Sequence, residues 1–587
     1  MPTTLLETSV QRSLLAWTER FARPEWQGAA VEGWLFEGAA ARRGAEERLR
    51  AAGVNARFRS AYKPLLHFFL EEVDRGALAS VTVRHPVHPL ALPGRFVMEA
   101  YPLAALLEGC ALSFEPGGER LDYEVALTFN DGTTRQATLF APNRQHLGCS
   151  GTMLLSPTGW LRVQRPGAAA PEIDERQATA CEILFEWMLA AVRGHEWPAQ
   201  QPFFERLEVQ LELHGIDEPL PVGHECVSTH EALHEDIYFS LLELFQERAR
   251  CAPGDRTLQP GQIVPDVRAS GSVPRLQVSL RDFAPVADEP LPAAAAEPPL
   301  EALGAPPAHA RISAELARLG GRRFSARSRQ GRAVEGVYHP GQGAPVFVSG
   351  GQHGNETSGI VGALRAGAAL RQQGAAFAVL PLENPDGYAL QRELSAHQPH
   401  HMLHAARYSA LGDDIEYRER PPLYERAARD EALALSGAQL HLNLHGYPAH
   451  EWTRPLSGYL PQGYESWTIP KGFFLILRHH AGWDAAARQL LERVSAAMAR
   501  VPGLVEFNAR QLALYGRHAG TMPFPVLHGI AHVVAQVDRL GSAPVTLISE
   551  YPDETITGDD FRFAHTVQME VALAAARSWQ GLAPASP

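Results

Sequence analysis

After about residue 310 the chain alternates short apolar runs with longer amphipathic stretches. PVFVSGG is followed by SGIVGALRAGAALRQQG, then by FAVLPL, and later by QLHLNLHG and VTLISE. Short apolar runs closed by glycine or a polar loop read as buried strands, and stretches with apolar residues three and four apart read as helices. The alternation predicts an α/β domain over 310–580 with a largely buried sheet. Upstream the pattern is different. From 77 to 163, LDYEVALTF and TRQATLFAP alternate around Asn130-Asp131-Gly132, whose residue types suit a tight hairpin turn. From 172 to 247, DERQATACEILFEWMLAAVRG and THEALHEDIYFSLLELFQERAR carry helical spacing, and the first 26 residues read as an amphipathic helix. Pro285 to Ala310 is dense in proline and alanine and reads as a semi-rigid linker. The expected organisation is a β-rich α+β region over 1–165, a mainly helical region over 166–284, the linker over 285–309, and the α/β domain over 310–580.

Length and charge narrow the possibilities. A chain of 587 residues exceeds one ordinary core, so two or three domains are expected. The formal net charge of -13 argues against a polyanionic partner, so no nucleic acid is expected. No apolar run has a membrane-spanning length, and Glu7, Arg12, Glu19 and Arg20 interrupt the place of a signal peptide, so neither membrane nor export is expected. The cysteines Cys110, Cys149, Cys181, Cys226 and Cys251 are odd in number and widely spaced. They suggest a reducing compartment, and the cytoplasm is the expected location.

Candidate chemistry gathers at the predicted strand ends. His353 and Glu356 lie three apart in a glycine-flanked turn, where a strand stops and a helix begins. Imidazole and carboxylate are zinc ligands, and a catalytic zinc takes three protein ligands plus water. In QLHLNLHG, period two puts Leu440, Leu442 and Leu444 on one face and His441, Asn443 and His445 on the other. His445, at the strand end, is the third candidate ligand, and His441 is expected to be structural. Glu550 closes the run VTLIS, where a buried carboxylate is costly without a function, and is the candidate general base.

Other signals compete. His230-Glu231-Ala232-Leu233-His234 matches HExxH, but Glu235 and Asp236 follow it, and an apolar helix face of Leu233, Ile237, Leu241 and Leu244 explains the segment without metal. His397, His400, His401 and His404 are expected on a polar surface loop beside the site. VSGGQHGNETSG lacks the lysine of a phosphate-binding loop, which speaks against nucleotide binding.

The half after the linker resembles the zinc carboxypeptidase superfamily, which includes succinylglutamate desuccinylase and aspartoacylase relatives. Ser328-Arg329-Gln330-Gly331-Arg332, GGQHGNE at 350–356, Asn384-Pro385-Asp386-Gly387, LHG at 444–446 and Glu550 carry the resemblance. It implies one zinc ion on His353, Glu356 and His445, with Glu550 as base, and a mixed sheet flanked by helices. Arg407 matches an arginine that polarises the scissile carbonyl. The family's Asp-x-Asn-Arg pattern corresponds here to Asp414-Ile415-Glu416-Tyr417-Arg418, leaving Arg418 to grip a substrate carboxylate, with Glu416 either pointing away or facing a positive group on the substrate. Tyr515, with Tyr447 as rival, matches a tyrosine over the substrate, and Asn384 joins the substrate-binding set. The implied function is a metallocarboxypeptidase acting on peptides or peptide-like amides. A deacylase of small N-acyl amino acids and a non-catalytic zinc-binding interaction protein are the alternatives.

Overall fold

Nine strands in the C-terminal half form one mixed sheet among the residues that the computed structural model describes, which are 2–148, 151–252, 254–286, 298–461, 465–539 and 541–582. The spatial order is Arg322–Arg327, Ala333–His339, Ala375–Leu380, Gln342–Gly350, Leu440–Pro448, Val545–Glu554, Phe474–His479, Ile530–Gln536 and Val526–Leu527. The strands beginning at Ala375, Gln342, Leu440 and Val545 run parallel as a central block, and their neighbours on both sides include antiparallel pairs. The α/β expectation with a mixed sheet therefore holds. Period two decides the faces. Val346, Val348, Leu440, Leu442 and Leu444 pack on one side with the helices Ser358–Gln372, Asp484–Met498 and Gly558–Trp579. Phe347, Ala378 and Leu380 pack on the other with Ala428 and Ala432 of the helix Arg426–Ser436.

The N-terminal half departs from its expected pattern in two places. Residues 2–26 begin with a strand, Thr3–Ser9, followed by the α-helix Ser13–Phe21 and a short 3-10 turn, Pro24–Trp26. The strand forms because Arg275–Arg281 lies beside it, a partner remote in sequence. The region 166–284 is not mainly helical. The helices Ala180–Gly194 and Thr229–Ala249 are there, but so are the strands Arg206–Leu213, Gln262–Ala269 and Arg275–Arg281, which join Thr3–Ser9 in a four-stranded sheet. The hairpin does form: Asp122–Phe129 pairs with Thr134–Phe140, and Gly132 takes φ 84° in the turn.

Residues 287–297 of the proline-rich segment lie outside the described residues, but from 298 onward the chain is tied to the C-terminal half. Tyr388 donates to the Pro307 carbonyl, Gly558 N–H donates to the Gly304 carbonyl (2.7 Å), and the helix His309–Leu319 starts at once. A single hydrophobic core also draws on both halves, combining Leu207, Leu233, Leu241 and Phe245 with Leu390, Leu403, Leu456 and Tyr515.

His518 reports on this junction. Its Nδ1–H donates to the Val97 carbonyl (3.0 Å), and its Nε2 accepts from Ala104 N–H (3.2 Å), a pairing only the neutral ring can make. Burial holds its pKa down to about 4, from an ordinary 6.5. Between these values the unfolded chain binds a proton that the folded chain refuses. The contribution is therefore complete above the unfolded pKa, and is lost as pH falls through the folded one. Its full size is on the order of 3 kcal/mol. Thermal unfolding from about pH 7 to about pH 4.5 should show a shallower loss of stability in His518→Gln than in the parent; parallel slopes would contradict this.

Candidate metal centre

Three adjacent parallel strands in the middle of the sheet deliver the candidate residues to their carboxyl ends. His353 and Glu356 lie in the turn between the strand Gln342–Gly350 and the helix starting at Ser358. His445 and Glu550 are register partners on the next two strands. Two small-residue contacts permit this geometry. A Cβ on Gly354 would come within 2.2 Å of the Gly387 carbonyl carbon, so the GGQHGNE and NPDG turns meet backbone to backbone. A Cβ on Gly446 would lie 2.0 Å from Asp553 Oδ1, and Asp553 Oδ2 accepts the Ser358 N–H at the head of the helix (2.7 Å). The Ser328–Arg332 loop closes the assembly, with Ser328 Oγ (2.7 Å) and Arg332 Nη1 (2.9 Å) donating to Asp386.

His353, Glu356 and His445 converge. His353 Nδ1 is 2.7 Å from Glu356 Oε1, His445 Nδ1 is 2.9 Å from Glu356 Oε2, and the two Nδ1 atoms are 3.2 Å apart. All three side chains are buried. Asp414 Oδ2 lies 3.5 Å from His353 Nε2 and Gln352 Nε2 donates to Asp414 Oδ1 (2.9 Å), so the far side of the His353 ring faces a carboxylate. A carboxylate on the far side of the ring would favour the tautomer that leaves Nδ1 free to bind a cation. Two imidazole nitrogens and a carboxylate, all buried, form a donor set suited to a divalent cation.

The electrostatics divide the carboxylates. Burial pushes Glu356 up, but His353, Arg407 and His445 outweigh it and hold its carboxyl well below the usual range. Burial and the Glu356 charge push Glu550 well above that range, opposed by Arg407 and Lys471. Two neighbouring buried carboxylates are thus pushed in opposite directions.

Arg407 stands at the centre, its Nη1 donating to Glu356 Oε1 (2.6 Å). Asn384 is fully buried. Its Oδ1 accepts from Gly387 N–H (2.9 Å), and its Nδ2 donates to the carbonyls of Tyr408 (3.1 Å) and Arg407 (3.3 Å). It therefore ties the Arg407 loop to the turn at Gly387. Arg418 is corrected. Its guanidinium is buried and committed to Asp413 (2.5 Å), Glu425 and Ser409 (2.7 Å). Replacing Arg418 with Met strands those two carboxylates, at a cost of about 3–5 kcal/mol. The expected outcome is a lowered unfolding midpoint with an unaltered KM in the folded fraction; a selective rise in KM would restore Arg418 to substrate binding. Glu416 points away from the site, held by Arg429, Arg539 (2.8 Å) and Arg478 (3.4 Å). Tyr515 packs in the shared core at 2% exposure, and Tyr447 donates to the Gly472 carbonyl (2.5 Å). The tyrosine beside the His353 ring is Tyr408, 6.3 Å between centroids.

Other expectations resolve in the same way. His441 is structural, accepting or donating at Ser349 Oγ (2.8 Å) and stacked on Phe347. His397 and His400 are exposed, but His401 and His404 are buried against the N-terminal half and not on a surface loop. His401 pairs with Asp217 (3.0 Å) and His404 with Glu235 (2.5 Å). The HExxH histidines do not assemble with Glu231: His230 Nε2 faces the Leu213 carbonyl (3.2 Å), and His234 Nε2 accepts weakly from Ala405 N–H (3.5 Å). Sequence reasoning also passed over Lys471. It is buried, ringed by Trp467, Tyr447 and Phe474, has no hydrogen-bond acceptor for Nζ among the described residues, and is pushed down to about 7 by burial against the pull of Glu550.

No family model and no curated protein matches the chain. Among solved structures it is similar to a metallo-carboxypeptidase from Pseudomonas aeruginosa in complex with (2-guanidinoethylmercapto)succinic acid, at 16% identity over 47% of this chain and 69% of the other, TM-score 0.29. A metallo-carboxypeptidase from Burkholderia cenocepacia is similar at 13% identity over 47% and 70%, TM-score 0.29. An aspartoacylase family protein from Mesorhizobium loti is similar at 14% identity over 46% and 69%, TM-score 0.24.

Proposed function

We propose that the chain is a zinc-dependent hydrolase of amide bonds, with His353, Glu356 and His445 holding the ion and Glu550 as general base. The observation that carries this reading is the convergence of two imidazole Nδ1 atoms and a carboxylate one strand away from a buried, high-pKa glutamate. A bound zinc ion would supply a Lewis acid and an acidified water. Glu550 takes the water's proton as the new carbon–oxygen bond forms, and returns it to the departing amine as the carbon–nitrogen bond breaks. Arg407, charged and beside the ligand cluster, donates to the carbonyl oxygen as negative charge develops there.

A peptide cleaved at its carboxyl end is the first substrate class. A small N-acyl amino acid is the second, favoured by one observation: Arg418, the expected carboxylate fork, is already bound to Asp413 and Glu425. Zinc-loaded protein should be assayed on peptides with free carboxyl ends, on the same peptides amidated, and on N-acyl amino acids. Cleavage confined to the free peptides selects the first class, and cleavage of acyl amino acids alone the second. No turnover on any of the three sets would sink the hydrolase reading.

A further inference from the structure

A second set of ligand atoms lies where the halves meet. Cys226 ends a two-stranded ribbon, Glu231 sits in the first turn of the helix Thr229–Ala249, and His450 follows the strand that carries His445. His450 Nε2 is 2.6 Å from Glu231 Oε1, Cys226 Sγ is 3.5 Å from Glu231 Oε2, and the ligand atoms of all three lie within 4.8 Å of one another. We propose that Cys226, Glu231 and His450 form a second divalent-cation site of zinc type, distinct from the His353 centre, which joins the N-terminal half to the sheet.

The surroundings suit an ion. Thr555 Oγ1 meets His450 Nδ1 (3.3 Å), which turns Nε2 toward the cluster, and Met402 N–H donates to Glu231 Oε1 (2.8 Å), which fixes the carboxylate. His450 and Glu231 are buried, whereas Cys226 is only half-buried and leaves a way in. Sulfur, nitrogen and oxygen together form a zinc donor set.

The thiolate gives this site a signature that the His353 centre lacks. The full chain is titrated with Co2+ as wild type, as His353→Ala/His445→Ala and as Cys226→Ser, with His450→Gln as a second variant should the serine form fail to fold. Expected is a near-ultraviolet thiolate-to-cobalt charge-transfer band in the wild type, retained in the double variant and lost in Cys226→Ser. Zinc bound after equilibrium dialysis should fall by one ion per chain in Cys226→Ser and in His450→Gln. No such band in the wild type, or a band and stoichiometry unchanged by both variants, would overturn the site. Loss of cobalt binding at the His353 centre alone would count against the hydrolase reading and leave this band intact.

Discussion

Glu550→Gln should reduce amide hydrolysis by about 10²–10⁴-fold while leaving bound metal unchanged. The side chain sits opposite His445 in the parallel register and opposite Phe474 in the antiparallel one, fixed between two strands. Glutamine fits the same space, so the loss would be one of proton transfer and not of folding. The substitution also removes a carboxyl that burial and Glu356 hold well above the normal range, which relieves strain in the free protein. The variant should therefore melt no lower than wild type while its kcat collapses. Each factor of ten corresponds to about 1.4 kcal/mol of transition-state stabilisation, so the measurement assigns Glu550 about 3–5 kcal/mol. A variant that hydrolyses at the wild-type rate would remove Glu550 from the mechanism.

Much of this site was legible because its signals are local. A turn with His and Glu three apart, a strand with polar residues on one face, and a strand closing in glutamate each reveal their geometry over fewer than ten residues. Their order along the chain also matches their order in the sheet, since the strand leading into the His353 turn and the strands bearing His445 and Glu550 are neighbours. Arg418 and Tyr515 were misplaced for the opposite reason. A motif position says which residue is near a site, but not whether Asp413 and Glu425 have already claimed it. Nothing short of the fold brings Lys471 to Glu550, or Asp414 to His353.

The N-terminal half was less legible because its pairings are long-range. Arg206–Leu213 and Arg275–Arg281 alternate with period two, but they read as strands only once each has the other as a partner. The function of that half was likewise hidden. The Arg407 loop rests on the helix Thr229–Ala249: Met402 N–H donates to Glu231, and His404 pairs with Glu235. The HExxH segment, read from sequence as an apolar helix, thus also supplies the buried carboxylates on which that loop is seated. Loops need such supports because a mobile cation loses the geometry on which carbonyl polarisation depends.

Metal removal should have the largest effect of all. Stripping the chain with a strong chelator is expected to lower hydrolysis by at least about 10³-fold, and adding Zn2+ back should restore it. His445→Ala should do the same without recovery at ordinary zinc concentrations. It deletes one of two imidazoles facing Glu356 and leaves that carboxylate only His353 and Arg407. The stripped chain should stay folded, because Arg407 and both histidines still surround the Glu356 charge, and its unfolding midpoint should rise on zinc addition as binding to the folded state requires. Since a chelator also empties any ion held by Cys226, Glu231 and His450, the His445 variant separates the two effects: it should lose turnover while keeping the thiolate-bound ion. Full activity in a chain shown by elemental analysis to be free of divalent metal would mean that Glu550 and Arg407 act without the ion.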